Sequence, residues 1–135
     1  MRSLLVEDEF VTRMLVKELL SQFGDCDIAV DGEEAIDAIK LAIKNDDCYD
    51  LILLDIMMPK KNGLDVLKEV RELEAELKIP IDEGCKVIMT TALDDTKTVM
   101  GAFRNGCEAY IVKPVSNDKL LEQLNNLGFK VKSTV

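Results

Sequence analysis

Four small polar groups in this sequence stand directly behind apolar runs. Glu7-Asp8-Glu9 follows Leu4-Leu5-Val6, and Asp55 follows Leu51-Ile52-Leu53-Leu54. Thr90-Thr91 follows Val87-Ile88-Met89, and Lys113-Pro114 follows Ala109-Tyr110-Ile111-Val112. Gathered in one place, these residue types suit phosphoryl chemistry. Carboxylates held within ~4 Å of one another repel by a few kcal/mol per pair even at an effective dielectric of about 20. That cost either raises one pKa or calls in a cation. Hard oxygen ligands that retain water suit Mg2+. A lysine adds a compact positive charge for phosphoryl oxygens, and a threonine hydroxyl or free helix N–H groups add neutral donors. Together they make a site where a carboxylate can take up a phosphoryl group, with positioning and charge neutralisation supplying most of the catalysis.

Taken singly, each group also has a plain structural reading. Glu7-Asp8-Glu9 suits the acidic start of a helix, and Asp55 could cap the helix that follows it. Thr90-Thr91 is ordinary strand-end filler, and a lone lysine is usually solvated. The argument for chemistry is their coincidence behind four separate apolar runs.

The elements that must position them are legible from period. The four runs, with Ile28-Ala29-Val30, are continuous rather than alternating, as in parallel strands covered on both faces. Between them the period becomes helical. Phe10, Val11, Met14, Leu15 and Leu19 mark a first helix; Ala35, Ile36, Ile39, Ala42 and Ile43 mark a second. Leu64, Leu67, Val70, Leu73 and Leu77 mark a third. Val99, Met100 and Phe103 mark a short fourth, and Leu120, Leu121, Leu124 and Leu127 a fifth. Strand–helix alternation implies a three-layer α/β fold with a doubly wound, five-stranded parallel sheet, whose ligands bind beyond the carboxyl ends of the strands. Asp31-Gly32 reads as a plain turn. Gly101 inside the fourth helix either weakens a movable element or serves close packing.

Composition sets limits. The 135 residues allow one domain and one core; the expected division is a domain over 1–128 and a short tail over 129–135. A formal charge of −9 argues against nucleic acid as a partner. With no histidine in the chain, any phosphohistidine must belong to another protein. Acid arrives at Glu7, too early for a secretory h-region, and no apolar run is long enough to cross a bilayer, so membrane insertion is not expected. Four scattered cysteines read as reduced thiols in a cytoplasmic protein.

The assembled pattern resembles the receiver domain of two-component response regulators, of the CheY-like type, over nearly all of the chain. The residues that carry the resemblance are Glu7-Asp8, Asp55-Ile56-Met57-Met58-Pro59 through Gly63, Thr91-Ala92, and Tyr110 with Lys113-Pro114. The resemblance implies the flavodoxin-like strand order 2-1-3-4-5. It implies that Asp55 is the phosphoacceptor and that Mg2+ is held by Asp8, by Asp55, by the backbone carbonyl of Met57 and, through water, by Glu7. Lys113 would pair with the aspartyl phosphate, and its bond to Pro114 would be cis. Thr91 and Tyr110 would be the switch pair. The implied donor is a histidine kinase or a histidine phosphotransfer protein, with Phe10, Val11 and Met14 as docking candidates. The implied output is a downstream protein bound at the face of helix 4, strand 5 and helix 5. Such a protein is a signalling phosphoacceptor that at most assists its own phosphorylation and dephosphorylation, not an enzyme.

Two features depart from the family pattern. The connection Ile79–Cys85 is longer than usual, on the side away from the crevice. The chain also ends near its fifth helix, so the expected form is a stand-alone receiver that signals by direct contact. A Mg2+-dependent phosphatase of the haloacid-dehalogenase type is the alternative, but it needs a second aspartate two positions after the nucleophile, where Met57 stands. A flavin-binding module of similar architecture needs a hydroxyl-rich phosphate loop where this chain has Glu7-Asp8-Glu9.

Overall fold

The structure is a computed structural model that describes residues 1–80, 83–92 and 96–129. Strands and helices alternate along it: β1 (Arg2–Val6), α1 (Phe10–Ser21), β2 (Asp25–Ala29), α2 (Gly32–Lys44), β3 (Leu51–Asp55), α3 (Gly63–Glu76), β4 (Lys86–Thr91), α4 (Thr96–Arg104), β5 (Ala109–Val112) and α5 (Asn117–Asn126). The strands form one sheet in the order β2-β1-β3-β4-β5, every neighbouring pair parallel. Both the α/β class and the strand order expected from the sequence are present. The strand order reverses at β1 and β3, and Glu7 and Asp55 sit at the carboxyl ends of those two strands. Open α/β sheets bind their ligands at that switch point.

The strands carry apolar residues on both faces because each face has its own core. Leu4, Val6, Ile52, Leu54, Val87 and Met89 pack with Ile36, Ile39, Val66, Leu67 and Val70 of α2 and α3. Leu5, Leu51, Leu53, Ile88 and Ile111 pack with Val16 and Leu20 of α1 and Leu120 and Leu124 of α5. Along β1, β3 and β4 alternate side chains therefore enter opposite layers, whereas the edge strand β2 exposes Asp25 and Asp27.

The first helix forms where its period predicts but turns a different face inward. Its buried residues are Val16 and Leu20, whereas Phe10, Val11, Met14 and Leu15 are 62%, 59%, 52% and 59% exposed. At about 100° per residue these four share the face of α1 opposite Val16 and Leu20, so they point away from the sheet. Similarly, α4 buries Ala102 and leaves Met100 and Phe103 partly exposed. Strand β2 ends at Ala29, one residue short of the expected Val30.

The long connection before β4 lies at the amino-terminal end of the sheet, away from the crevice. Arg71 on α3 anchors it, donating to the carbonyls of Cys85 (2.9 Å) and Gly106 (2.7 Å) and pairing with Glu74 and Glu108. Ile79, Glu83, Gly84 and Cys85 also help wall a cavity of about 380 Å³ at that end. Ile81 and Asp82 of this connection, and tail residues 130–135, lie outside the described residues.

Among the described residues no atom lies within 4 Å of a Cβ built at Gly101, so close packing is not the reason for that glycine. Gly101→Ala should therefore stabilise the fold by about 0.5–1 kcal/mol through helix propensity alone. A urea midpoint that stays put or falls would contradict this.

Candidate functional site

The acidic triplet after β1 divides its work. Glu9 caps α1, its carboxylate accepting from the backbone N–H groups of Val11 (3.2 Å) and Thr12 (2.6 Å). Bonds from Thr12, its side chain foremost, hold the Glu9 carboxyl below its usual range. With the cap supplied by Glu9, Glu7 and Asp8 are free to turn toward β3. Glu7 is buried and accepts the Glu9 N–H through Oε2 (3.1 Å), while Asp8 is exposed. Arg13 fastens the same loop from behind, donating from Nη1 to the carbonyls of Glu7 and Asp8, both at 3.2 Å. Sequence reading missed Arg13. The available signal was that helical side chains lean toward the N-terminus, so a basic residue in the first turns reaches back to the loop.

Asp55 closes β3 with 2% of its surface exposed. Its Oδ1 accepts the Met57 N–H (3.1 Å) and its Oδ2 accepts from Lys113 Nζ (3.0 Å). The same ammonium lies 2.8 Å from Glu7 Oε1. One lysine therefore bridges two buried carboxylates. Burial and the neighbouring Glu7 charge push the Asp55 pKa up to about 6, against the opposing pull of Lys113 and the Met57 N–H. Burial works against the Lys113 charge, but hydrogen bonds to Glu7 and Asp55 outweigh it and raise its pKa. Two acids share one cation, which is why the acid is still raised although it is paired.

Glu7, Asp8 and Asp55 each offer a carboxylate oxygen within 4.8 Å of the others. Three carboxylates and one ammonium leave two negative charges in a small space. Hard oxygen donors with that excess suit a divalent cation that keeps some of its water.

Thr91 ends β4 fully buried, and its carbonyl accepts the Lys113 N–H (2.7 Å). Thr90 pairs with Asp55 in the β3–β4 register, and its carbonyl accepts the Ile56 N–H. Both threonines therefore sit at the crevice end of the sheet. The Lys113–Pro114 bond is cis. Tyr110, on β5 between the site and α4, is half-buried and meets Phe103 edge-on at 6.0 Å between ring centroids. Met57 is exposed at its side chain and bound to Asp55 through its backbone. Gly63 closes the excursion after β3. Its N–H donates to the Ile56 carbonyl (2.9 Å), and a Cβ there would stand 2.3 Å from the Asp55 carbonyl oxygen.

The response regulator receiver domain family matches residues 4–125 of the chain. The chain belongs to this family. Its relatives include the chemotaxis protein CheY of Bacillus subtilis (strain 168), 30% identical over 124 residues that cover 92% of this chain and 94% of CheY. The transcriptional regulatory protein DltR of Streptococcus agalactiae serotype III is 39% identical over 92% of this chain and 50% of DltR. The chain thus spans about half the length of such transcriptional relatives. Among solved structures, a chain of the CheX-CheY-BeF3-Mg2+ complex from Borrelia burgdorferi superposes with a TM-score of 0.80 at 29% identity, covering 96% of this chain and 90% of that one.

The raised Asp55 pKa has a consequence for stability. The folded protein holds the Asp55 proton up to about pH 6, whereas the ordinary value is 3.8. The folded state therefore binds more protons across that window, so stability is lost as pH rises through it. With divalent ions chelated, Asp55→Asn should be more stable than the wild type at pH 7 by about 1–3 kcal/mol. The advantage should shrink as pH falls toward 4. Chemical denaturation at several pH values measures both; a less stable variant at pH 7 would contradict the account.

Proposed function

We propose that this receiver accepts a phosphoryl group on the Asp55 carboxylate from the phosphohistidine of a histidine kinase or histidine phosphotransfer protein. The supporting observation is the Lys113 ammonium seated between Glu7 and Asp55, with Asp8 completing an acidic cluster beside it. In the transfer, an Asp55 oxygen forms a bond to phosphorus while the phosphorus–nitrogen bond to the partner's imidazole breaks. The imidazole leaves with the electron pair and takes up a proton. Lys113 is placed to pair with the incoming phosphoryl oxygens. Asp8, Asp55 and the Met57 carbonyl would hold Mg2+ directly, and Glu7 through water. When bound, the ion neutralises charge on the transferring group. The Borrelia burgdorferi neighbour is a CheX-CheY complex that holds BeF3 and Mg2+, which supports a divalent-cation site in this fold.

Phosphorylation then adds charge and acceptors beside Thr91 and Lys113. A switch moved from mostly off to mostly on needs ~5.5 kcal/mol of differential stabilisation. A single charge-assisted contact supplies only ~1.5–3 kcal/mol, so Thr91, Lys113 and the metal must act together. The element biased is the face of α4, β5 and α5, where Tyr110 packs on the partly exposed Phe103 and Met100 stands near it on α4. A downstream protein would bind there. The exposed Phe10, Val11, Met14 and Leu15, on the helix that follows β1, would receive the kinase. The receiver would be a cytoplasmic signalling unit with no separate turnover of its own. Its described cysteines are all free thiols, and no described helix is long and apolar enough to cross a membrane.

Incubation with acetyl phosphate and Mg2+ followed by intact mass tests the assignment. The wild type should gain one phosphoryl group and Asp55→Asn none; equal labelling of both, or of neither, overturns it. Lys113→Gln, which removes one charge-assisted contact of ~1.5–3 kcal/mol, should slow labelling about 10–100-fold.

A further inference from the structure

We propose that the start of α2 positions the phosphorylation loop: Gly32, with Asp31 beside it, holds the turn at Pro59–Lys61 and through it the Met57 backbone that adjoins Asp55. The inference rests on the Asp55 reading above and assigns a role to two residues that look, in sequence, like an ordinary turn.

Gly32 is buried at the first position of α2, and its φ is not in the left-handed region. Its backbone conformation therefore does not require glycine. What requires glycine is the neighbour. A Cβ at Gly32 would lie 2.3 Å from the Lys61 carbonyl oxygen and 2.6 Å from the Lys61 Cβ. The nearer atom is backbone, so a side chain here can be accommodated only if the loop moves.

The loop is held tightly where it touches Gly32. Lys61 N–H donates to the Pro59 carbonyl at 2.7 Å, and the central Lys60 has φ +67. This is a three-residue turn in a conformation that L side chains adopt only at a cost, so it persists because its surroundings impose it. Asp31 is one of those surroundings. Its Oδ1 caps α2 by accepting the Glu34 N–H (2.8 Å), and its Oδ2 lies 3.4 Å from Lys60 Nζ. On the other side, Lys61 pairs with Glu69 of α3.

Both ends of the excursion are pinned. Asp55 belongs to β3, and Gly63 opens α3 in contact with the Asp55 carbonyl. A push at Lys61 must therefore be absorbed by residues 56–62. Within that stretch the Met57 N–H is bound to Asp55 Oδ1, and the Met57 carbonyl is the backbone group the metal reading needs. Gly32 and Asp31 are thus positioning residues that touch neither phosphoryl group nor metal.

Calorimetry of Mg2+ binding, with circular dichroism and amide NMR in EDTA, compares the wild type with Gly32→Ala and Lys60→Gln. Gly32→Ala should remain folded, shift the Met57 amide resonance without metal, and raise the Mg2+ Kd about tenfold, the range seen when support around a metal ligand is lost. Saturating Mg2+ should restore its labelling by acetyl phosphate. Lys60→Gln removes a positive charge, which by Coulomb's law alone would tighten Mg2+ binding. Loop placement demands the opposite sign, a Kd about two- to threefold weaker, in keeping with one exposed ion pair. An unchanged Kd with an unmoved Met57 amide in Gly32→Ala overturns the proposal, as does unchanged or tighter binding in Lys60→Gln. If Gly32→Ala does not fold, Lys60→Gln alone decides. A wild type that binds no Mg2+ would instead remove the metal reading, and the metal-free Met57 amide of Gly32→Ala would still decide whether α2 holds the loop.

Discussion

A single ammonium shared by two buried carboxylates organises this molecule's crevice. Lys113 arrives from the end of β5, Glu7 from the end of β1 and Asp55 from the end of β3, and the ammonium lies 2.8 Å from one carboxylate and 3.0 Å from the other. None of the three could be buried alone at acceptable cost. Buried together they remain short of positive charge, and burial first, then the neighbouring Glu7 charge, raises Asp55. A site left incomplete in this way gains when a cation binds or when the carboxylate changes its chemistry. The same imbalance that costs stability makes the site responsive.

The constraint explains why the neighbouring backbone is so closely tied. Arg13 holds the Glu7 and Asp8 carbonyls, Glu9 supplies the helix cap, and the Met57 N–H fixes one oxygen of Asp55. Thr91 passes its carbonyl to the backbone of Lys113. Each of these bonds ties down a residue at or just beyond the carboxyl end of a strand. Displacement of any one carboxylate would be felt across the crevice.

Two exposed faces carry large apolar side chains, one on α1 and one on α4. On α1, Phe10, Val11, Met14 and Leu15 share the face opposite Val16 and Leu20, which pack on the sheet. On α4 the partly exposed Phe103 meets Tyr110, and among the described residues no atom lies within 4 Å of a Cβ at Gly101. The coupling proposed between the site and protein contacts would run through the close-packed core beneath these faces, which has little slack.

Much of this protein can be read from residue order. Continuous apolar runs separated by helical periods determine a parallel α/β sheet, because strands buried on both faces need apolar residues at every position. Polar residues directly after those runs determine the crevice, because the carboxyl end of each strand is where the backbone leaves the core. What residue order could not decide is which neighbours share a charge or a contact. Glu7, Asp8 and Glu9 are adjacent in the chain, yet one is paired with Lys113, one is exposed, and one caps a helix. The period of α1 marks a helix but not that Val16 and Leu20, rather than Phe10 and Met14, face the sheet. Asp31-Gly32 is a turn by composition, and only the approach of Lys61 shows why its glycine is needed. Local pattern is set by the backbone geometry of each element, whereas these assignments depend on contacts between residues tens of positions apart, which exist only once the sheet has brought its strand ends together.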